Sequence, residues 1–522
     1  MNQQALSRRR SVADLMTTPA VTALPGETMA DVAVRMEKEH VSCVVVVEDD
    51  RTLGIVTERD IVRLGASGAD ARRAPVSDWM TGEPDVVEPG TDAGVAFANL
   101  AERGYRHIPV VDDGRLVGVV SMRDLMKVAQ IQPMLHPGEV EAPRGLAGVI
   151  VADTVIGDVR GQEGFYHYRQ YSARELADKR TLEDVWTLLF DGELPSAEQQ
   201  VAFDEEIRPQ RTLPDTLWPL LGDVANTGET FLPLEALRSA VSLTAAALGF
   251  RPSLDIPAGE LRSDAVHLCA LVPTLVAALF RLRRGEEPVE PDPELAHAAN
   301  YLWMLSGRRP APEHARAVEQ YLISTVDHGF NVSTFTARVI TSTGADVGAA
   351  VVGAIGALSG PLHGGAPSRA LDMLEAIGEP ARAEEWIRRE VDGGGRIMGF
   401  GHRVYRTEDP RSTLLRELAQ RLGGDKAEFA TTVERTIVEV LAELKPGREL
   451  YANVEFYAGV VMERCGIPPE MFTPTFAVSR VIGWCANILE QAADNRIIRP
   501  SARYVGPPAP QPVPEARPSA AE

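Results

Sequence analysis

Two histidines stand where the backbone lets a ligand approach closely. His363 lies in Gly360-Pro361-Leu362-His363-Gly364-Gly365, and His402 in Gly399-Phe400-Gly401-His402-Arg403-Val404-Tyr405-Arg406, followed by Asp409-Pro410-Arg411. Flanking glycines allow tight turns that carry an imidazole to a substrate; the alternative for each is a turn histidine without chemistry. A second chemical pattern occurs twice, Thr57-x-x-Asp60 and Ser121-x-x-Asp124, each directly after a Gly-led apolar run. A hydroxyl followed three residues later by an acid is, taken alone, a helix cap that satisfies free N-terminal amides. Other chemistries lack their patterns. Gly393–Gly395 and Gly399–Gly401 do not have Gly-x-Gly-x-x-Gly spacing or a clear preceding strand, and no Walker, His-Glu-x-x-His or Gly-x-Ser-x-Gly motif is present. Cys43, Cys269, Cys465 and Cys485 are scattered without Cys-x-x-Cys spacing, which reads as buried thiols in a reducing compartment and no metal site.

The elements that must position these residues belong to more than one domain. The chain has 522 residues, 44% of them hydrophobic and 24% charged, too long for one small fold and too apolar for global disorder. A net charge of -21 argues against a nucleic-acid partner. The apolar runs Leu271–Phe280, interrupted by Pro273, and Ala345–Leu358 are too short or too Gly-interrupted to span a bilayer, so no membrane segment is expected. Ser7-Arg8-Arg9-Arg10 hints at twin-arginine export, but Asp14, Pro19 and Pro25 follow in place of an apolar region, and a cytoplasmic protein is expected.

An internal repeat organises the first quarter. A shift of 64 residues brings Val12, Asp14, Met16 and Thr17 onto Val76, Asp78, Met80 and Thr81, Val46-Val47 onto Val110-Val111, Gly54 onto Gly118 and Asp60 onto Asp124, without a slip of register. Each copy, about 11–66 and 75–130, reads as an α/β unit: a helix (Met29–Glu39; Ala93–Arg103), a β-branched run (Val44–Val47; Ile108–Val111), an acidic turn, a second short strand and another helix. Residues 131–144 have the composition of a linker. Beyond a β-prone segment at Thr154–Tyr168, the pattern turns helical, as in Val433, Ile437, Val440, Leu441 and Leu444 on one face. The Pro- and Ala-rich stretch 507–522 reads as a disordered tail.

The two register-locked copies resemble a CBS-motif pair over residues 11–130. That resemblance implies clefts for adenosine nucleotides such as AMP or ATP, with Thr57, Asp60, Ser121 and Asp124 as nucleotide-binding residues, or a module that only mediates dimerisation. The body, 145–506, resembles the citrate synthase family. The likeness rests on Asp327-His328 with Asn331 and Ser333-Thr334-Phe335-Thr336-Ala337-Arg338, on Gly360–Gly365, Gly399–Arg411, Asn453-Val454-Glu455-Phe456-Tyr457, Phe476-Ala477-Val478-Ser479-Arg480 and Arg499-Pro500. Tyr168-Arg169-x-Tyr171 and Gly192-Glu193-Leu194-Pro195 are similar to the start of its bacterial members.

The resemblance implies a mainly α-helical body of large and small domains, in a homodimer or higher assembly, that condenses acetyl-CoA with oxaloacetate and hydrolyses the product to citrate and CoA. Removing a proton from a thioester methyl group needs a base and simultaneous stabilisation of the enolate. The family's pattern puts Glu455 at the base, His363 at the donor to the thioester oxygen, and His402 at the group that polarises the ketone. His328, Arg411 and Arg480 fall on oxaloacetate-binding positions, Arg499 on an arginine supplied by the neighbouring subunit, and Arg406 on a CoA-phosphate contact. No metal or cofactor is implied. Two positions depart from the pattern: the base is ordinarily aspartate, and Thr325 stands where bacterial members often have histidine. Glu455 moves the carboxylate by roughly an ångström, a displacement that can cost about 100-fold in rate unless the backbone compensates. The alternatives are a 2-methylcitrate synthase using propionyl-CoA and a non-catalytic CoA- or nucleotide-binding regulatory paralogue.

Overall fold

The 64-residue shift is preserved in three dimensions. The computed structural model describes residues 11–49, 51–103, 105–122, 124–125, 142–363, 367–402, 404–405, 407–447, 449–505 and 510. It divides into Met1–Val149 and Ile150–Glu522. In the first unit, β1 (Thr22–Ala23) and α1 (Met29–Lys38) precede the hairpin β2 (Cys43–Glu48) and β3 (Arg51–Thr57), which runs into α2 (Glu58–Ser67). The second copy repeats this with β4 (Thr81–Gly82), α3 (Ala93–Arg103), β5 (His107–Asp112) and β6 (Arg115–Ser121). Asp113 and Gly114 form the two-residue turn between β5 and β6 with φ of 47° and 81°, the left-handed pair that suits the twist of a hairpin.

The two copies exchange their leading segments. β1 lies parallel to β2, with Ala23 opposite Val46, and β4, from the start of the second copy, lies antiparallel to β3, with Thr81 opposite Ile55. The same two contacts recur 64 residues on: Val87 pairs parallel with Val110, and Thr17, from the start of the first copy, pairs antiparallel with Val119. Val76 is accordingly buried with Met29, Val44 and Val56 of the first copy, and Val12 with Ala96, Val110 and Val120 of the second. Gly54 and Gly118 admit the crossing chains, since a Cβ there would sit 2.4 Å from the Met80 sulfur and 2.9 Å from the Met16 sulfur.

The second unit opens with a three-stranded antiparallel sheet, β7 (Gly157–Arg160), β8 (Phe165–Tyr168) and β9 (Tyr171–Ser172), and is otherwise helical. Its axis is α4 (Ala258–Arg283), packed against α9 (Phe472–Ala493). The expectation that Pro273 interrupts this apolar run is corrected: Pro273 lies inside α4, every residue from Leu268 to Phe280 is buried, and packing on all sides holds the helix through the break. By length and composition α4 could cross a membrane, but 83% of its apolar window is buried within the protein. The face expected at Val433, Ile437, Val440 and Leu441 is buried on the helix Asp425–Leu444. The expected linker lies outside the described residues up to 141, and the expected tail does so except at 510.

Five further helices border one region: α5 (Pro312–Thr325), α6 (Val332–Thr341), α7 (Pro410–Leu422), α8 (Val454–Arg464) and α9. The close approach of α9 to the end of α5 depends on Gly483, where a Cβ would lie 2.0 Å from the Val326 carbonyl oxygen. Backbone cannot yield as a flexible side chain can, so Gly483→Ala is expected to lower unfolding free energy by about 1–3 kcal/mol and to displace the Asp327-His328 turn. Denaturant titration alongside ligand binding measures both; an alanine variant of unchanged stability would contradict the close approach.

Candidate active site

The site is assembled at the end of one helix and the beginnings of three. The last turn of α5 leaves carbonyls without helical partners, and β8 supplies them: the Tyr168 hydroxyl donates to Ile323 O at 2.8 Å and to Asp327 O at 3.2 Å, and the Tyr166 hydroxyl donates to Ser324 O at 3.2 Å. These bonds fix the turn that carries Asp327 and His328. Thr325 bonds to Tyr321 O at 2.9 Å and to the Ser479 hydroxyl at 3.0 Å, so its side chain is engaged in helix packing.

Each of the other starts is capped by its own side chain. Asn331 accepts from Thr334 N at the start of α6, Asp409 from Arg411 N with Pro410 in the first turn of α7, and Asn453 from Glu455 N at the start of α8. Loop 399–402 is then laced to the residues before α8: Gly401 N donates to Tyr451 O at 2.9 Å, Asn453 N to Gly399 O at 2.8 Å, and the Asn453 amide to Gly401 O at 3.0 Å. Gly399 has φ of 77°, and a Cβ there would lie 2.9 Å from the Phe456 Cβ. Glycine is required at this crossing, and it brings the His402 loop against the Glu455 helix.

His328, His402, Arg411, Arg480 and Glu455 share an electrostatic neighbourhood, and Arg480 also acts on His363. The rings of His328 and His402 are 5.7 Å apart, and Tyr405 lies against both, its hydroxyl 3.0 Å from His328 Nε2. His402 Nδ1 accepts from the amides of Val404 at 3.0 Å and Tyr405 at 3.1 Å. This assigns the proton of the neutral ring to Nε2, and the Arg411 Nη2 contact with that nitrogen at 3.3 Å is then a contact between two donors, which an acceptor lodged between them would relieve. His363 Nε2 is 2.8 Å from the Ser333 hydroxyl, which also faces Asn331 Oδ1 at 2.8 Å and accepts from Trp484 Nε1 at 3.1 Å.

Both arginines are almost fully buried, but their partners differ. Arg411 is forked onto Asp409 through Nε at 3.0 Å and Nη2 at 2.7 Å, and Asp409 also accepts from Val454 N at 3.3 Å, tying α7 to α8. Arg480 donates Nε to Thr325 O at 2.8 Å and stacks over Phe476 at 4.5 Å, with no carboxylate in ion-pair contact among the described residues. A buried guanidinium without a paired anion is expensive, and the site therefore favours an anionic ligand. Burial, with the nearby arginines, pushes His363 and His402 down to about 4 and His328 well below its ordinary range. All three are neutral at physiological pH. Burial pushes the Glu455 carboxyl up to about 7 against the opposing pull of Arg411, with Asp409 adding to the rise.

Arg499 is exposed and makes no bond to this cluster within the chain, and Arg406 lies outside the described residues. Thr57, Asp60, Ser121 and Asp124 sit in the first unit as two helix caps. Asp60 accepts from Thr57 N at 2.9 Å and from its hydroxyl at 2.8 Å, and the Ser121 hydroxyl donates to Asp124 at 2.5 Å. Four contributors stood inside the quoted motifs without a role assigned to them: Ser333, Tyr405, Asp409 and Asn453. Asp409 alone carried a local signal, the Asp-Pro pair of a helix start.

Comparison with known proteins assigns the two units. The family described as "Citrate synthase, C-terminal domain" matches residues 145–501, and the CBS domain family matches 12–67 and 76–130. A citrate synthase of Deinococcus radiodurans is 38% identical over 367 residues, 70% of this chain and 95% of the relative. A 2-methylcitrate synthase of Mycobacterium tuberculosis is 38% identical over 386 residues, 73% of this chain and 95% of the relative. The structure of the Thermoplasma acidophilum citrate synthase in a ternary complex with carboxymethyl coenzyme A and oxaloacetate superposes with a TM-score of 0.66 at 28% identity, over 72% of this chain and 98% of that one.

The raised Glu455 carboxyl links stability to pH. The fold favours its protonated form, so this contribution is full below the ordinary value of 4.5 and is lost as pH rises through about 7. Glu455→Gln is expected to be more stable than the native protein at pH 8, by up to about 3 kcal/mol, with the gap closing toward pH 4.5. Denaturant titrations at several pH values test this; a gap that does not vary with pH would refute the buried charge.

Proposed function

The chain belongs to the citrate synthase family, as an enzyme carrying a CBS pair ahead of its synthase body, and from that premise we propose that it condenses acetyl-CoA with oxaloacetate and hydrolyses the resulting thioester to citrate and CoA. The observation that carries this reading is a carboxylate of raised basicity grouped with neutral imidazoles and two buried guanidiniums.

Glu455 takes a proton from the thioester methyl group as His363 donates a hydrogen bond to the thioester oxygen, so that enolate charge is met as it forms. Ser333 has one hydroxyl proton and two acceptors facing it. With that proton directed at His363 Nε2, the imidazole keeps its own on Nδ1 for the substrate. The enolate carbon then attacks the ketone carbon of oxaloacetate, polarised by His402 Nε2–H, and water hydrolyses the thioester. His328, Arg411 and Arg480 bind the dicarboxylate, Arg499 of each subunit completes the site of its partner in a homodimer, and Arg406 contacts CoA phosphate. The reaction needs no cofactor or metal, and the four free buried cysteines suit a cytoplasmic setting. Closure over oxaloacetate builds the CoA site and excludes water until condensation is complete. Adenosine nucleotides at the CBS pair bias this closure, with Thr57, Asp60, Ser121 and Asp124 exchanging their cap bonds for ribose and phosphate.

A second reading, 2-methylcitrate synthase, is favoured by the equal 38% identity to a relative of that name. One methylene in a pocket discriminates by only about 10- to 200-fold. A thiol-release assay with oxaloacetate and either acetyl-CoA or propionyl-CoA is expected to favour acetyl-CoA, with kcat/KM rising with pH to a plateau above about 7 as Glu455 ionises. Glu455→Gln should lose at least about 100-fold. Preference for propionyl-CoA establishes the second reading; oxaloacetate binding without thiol release from either thioester establishes a non-catalytic protein. Repeating the assay with AMP, ATP or neither tests regulation, and unchanged kinetics with a nucleotide that demonstrably binds would remove it.

A further inference from the structure

Tyr321 lies on α5, one turn before Thr325, whose carbonyl holds Arg480. It is 1% exposed, and its hydroxyl has no hydrogen-bond partner among the described residues. The neighbouring buried tyrosines of this unit differ in that respect. Tyr166 and Tyr168 donate to α5 carbonyls, Tyr301 bonds to Thr475 at 2.8 Å, Tyr405 to His328 at 3.0 Å, and Tyr457 to Glu434 at 2.5 Å. Buried phenol hydroxyls almost always find a partner, so an unpaired one has a missing acceptor or a missing donor opposite it.

The surroundings say which. α5 packs against α7, α8 and α9, the helices that carry Arg411, Glu455 and Arg480. The charged groups acting on Tyr321 are Arg480 and Arg411, with Glu455 weaker. Guanidinium groups only donate, so neither arginine whose charge reaches this hydroxyl can accept its proton. An anion lodged against the arginines supplies that acceptor.

We propose that the Tyr321 hydroxyl is a substrate-binding donor, giving its proton to the oxaloacetate carboxylate held by Arg480 and Arg411. The assignment rests on the oxaloacetate reading above and adds a residue that none of the sequence motifs includes. It also gives the unpaired hydroxyl a purpose: a carboxylate oxygen supplies the acceptor that the described residues do not.

The test compares native full-length protein with Tyr321→Phe, which keeps the ring and removes the hydroxyl. Oxaloacetate Kd by calorimetry, and KM for oxaloacetate in the thiol-release assay, are expected to rise about 10- to 100-fold, as for a lost hydrogen bond to a charged group. The acyl-CoA KM and kcat should stay within about twofold. Tm without ligand should be unchanged or higher, because the hydroxyl makes no bond to the described residues, while the rise in Tm on adding oxaloacetate should shrink. Oxaloacetate affinity retained within twofold, or a fall in Tm without ligand, overturns the assignment. So does a displaced pH profile at unchanged oxaloacetate Kd, which would make Glu455 the acceptor. If the native protein neither binds oxaloacetate nor releases thiol, the functional reading fails and takes this one with it; native activity with an indifferent Phe variant overturns the tyrosine alone.

Discussion

Two buried guanidinium groups that feel one another's charge govern the chemistry of this interior. Arg411 is compensated by Asp409, whereas Arg480 has a main-chain carbonyl, an aromatic face and the more distant charge of Asp327, but no carboxylate in ion-pair contact among the described residues. Removing a cation from water costs several kcal/mol even after relaxation, so the arrangement holds only because the surrounding fold is large and well packed. Burial first, and the charge of the arginines after it, sets the protonation of His328, His363, His402 and Glu455. Imidazoles that would be half charged near neutrality are kept neutral, and act as oriented hydrogen-bond donors. For Glu455 the same burial outweighs the attraction of Arg411, and the carboxyl becomes a stronger base than a solvated one.

Secondary structure delivers these groups economically. Arg411 and Glu455 occupy second positions of their helices, where the preceding cap, Asp409 or Asn453, fixes the main chain within one residue of the functional side chain. Asp409 serves three ends at once, capping α7, neutralising Arg411 and accepting from α8. On the opposite side, two tyrosine hydroxyls from a short sheet close the end of α5 and define the direction in which His328 emerges. Rigid elements thus set positions that loops alone would leave variable.

Different parts of this arrangement were visible in the sequence for different physical reasons. The repeat was legible because strands and helices built on one register repeat their apolar spacing, and the elements at Ala93–Arg103 and Val44–Val47 formed where that spacing lay. His363 and His402 were legible from their glycines. The roles of Glu455, Arg411 and Arg480 came from resemblance alone, since an acid or arginine at a helix start, or an arginine within a helix, has no pattern separating it from a surface charge. Ser333 and Tyr405 function through partners 30 and 77 residues away, His363 and His328, and no local spacing encodes such a pair. Pro273 was misread as an interruption because its cost is local, while the packing that offsets it comes from elsewhere in the fold.

The crossing of the leading segments in the first unit makes its structural halves different from its sequence halves. A single copy released from the tandem would have an unfilled sheet edge beside Gly54 or Gly118 and a hole in its core where Val76 or Val12 belongs. The natural occupant of both vacancies is another copy, so an ancestral unfused version would have been an obligate pair whose integrity depended on concentration. Joining the copies in one polypeptide makes that association intramolecular, so that it no longer depends on concentration.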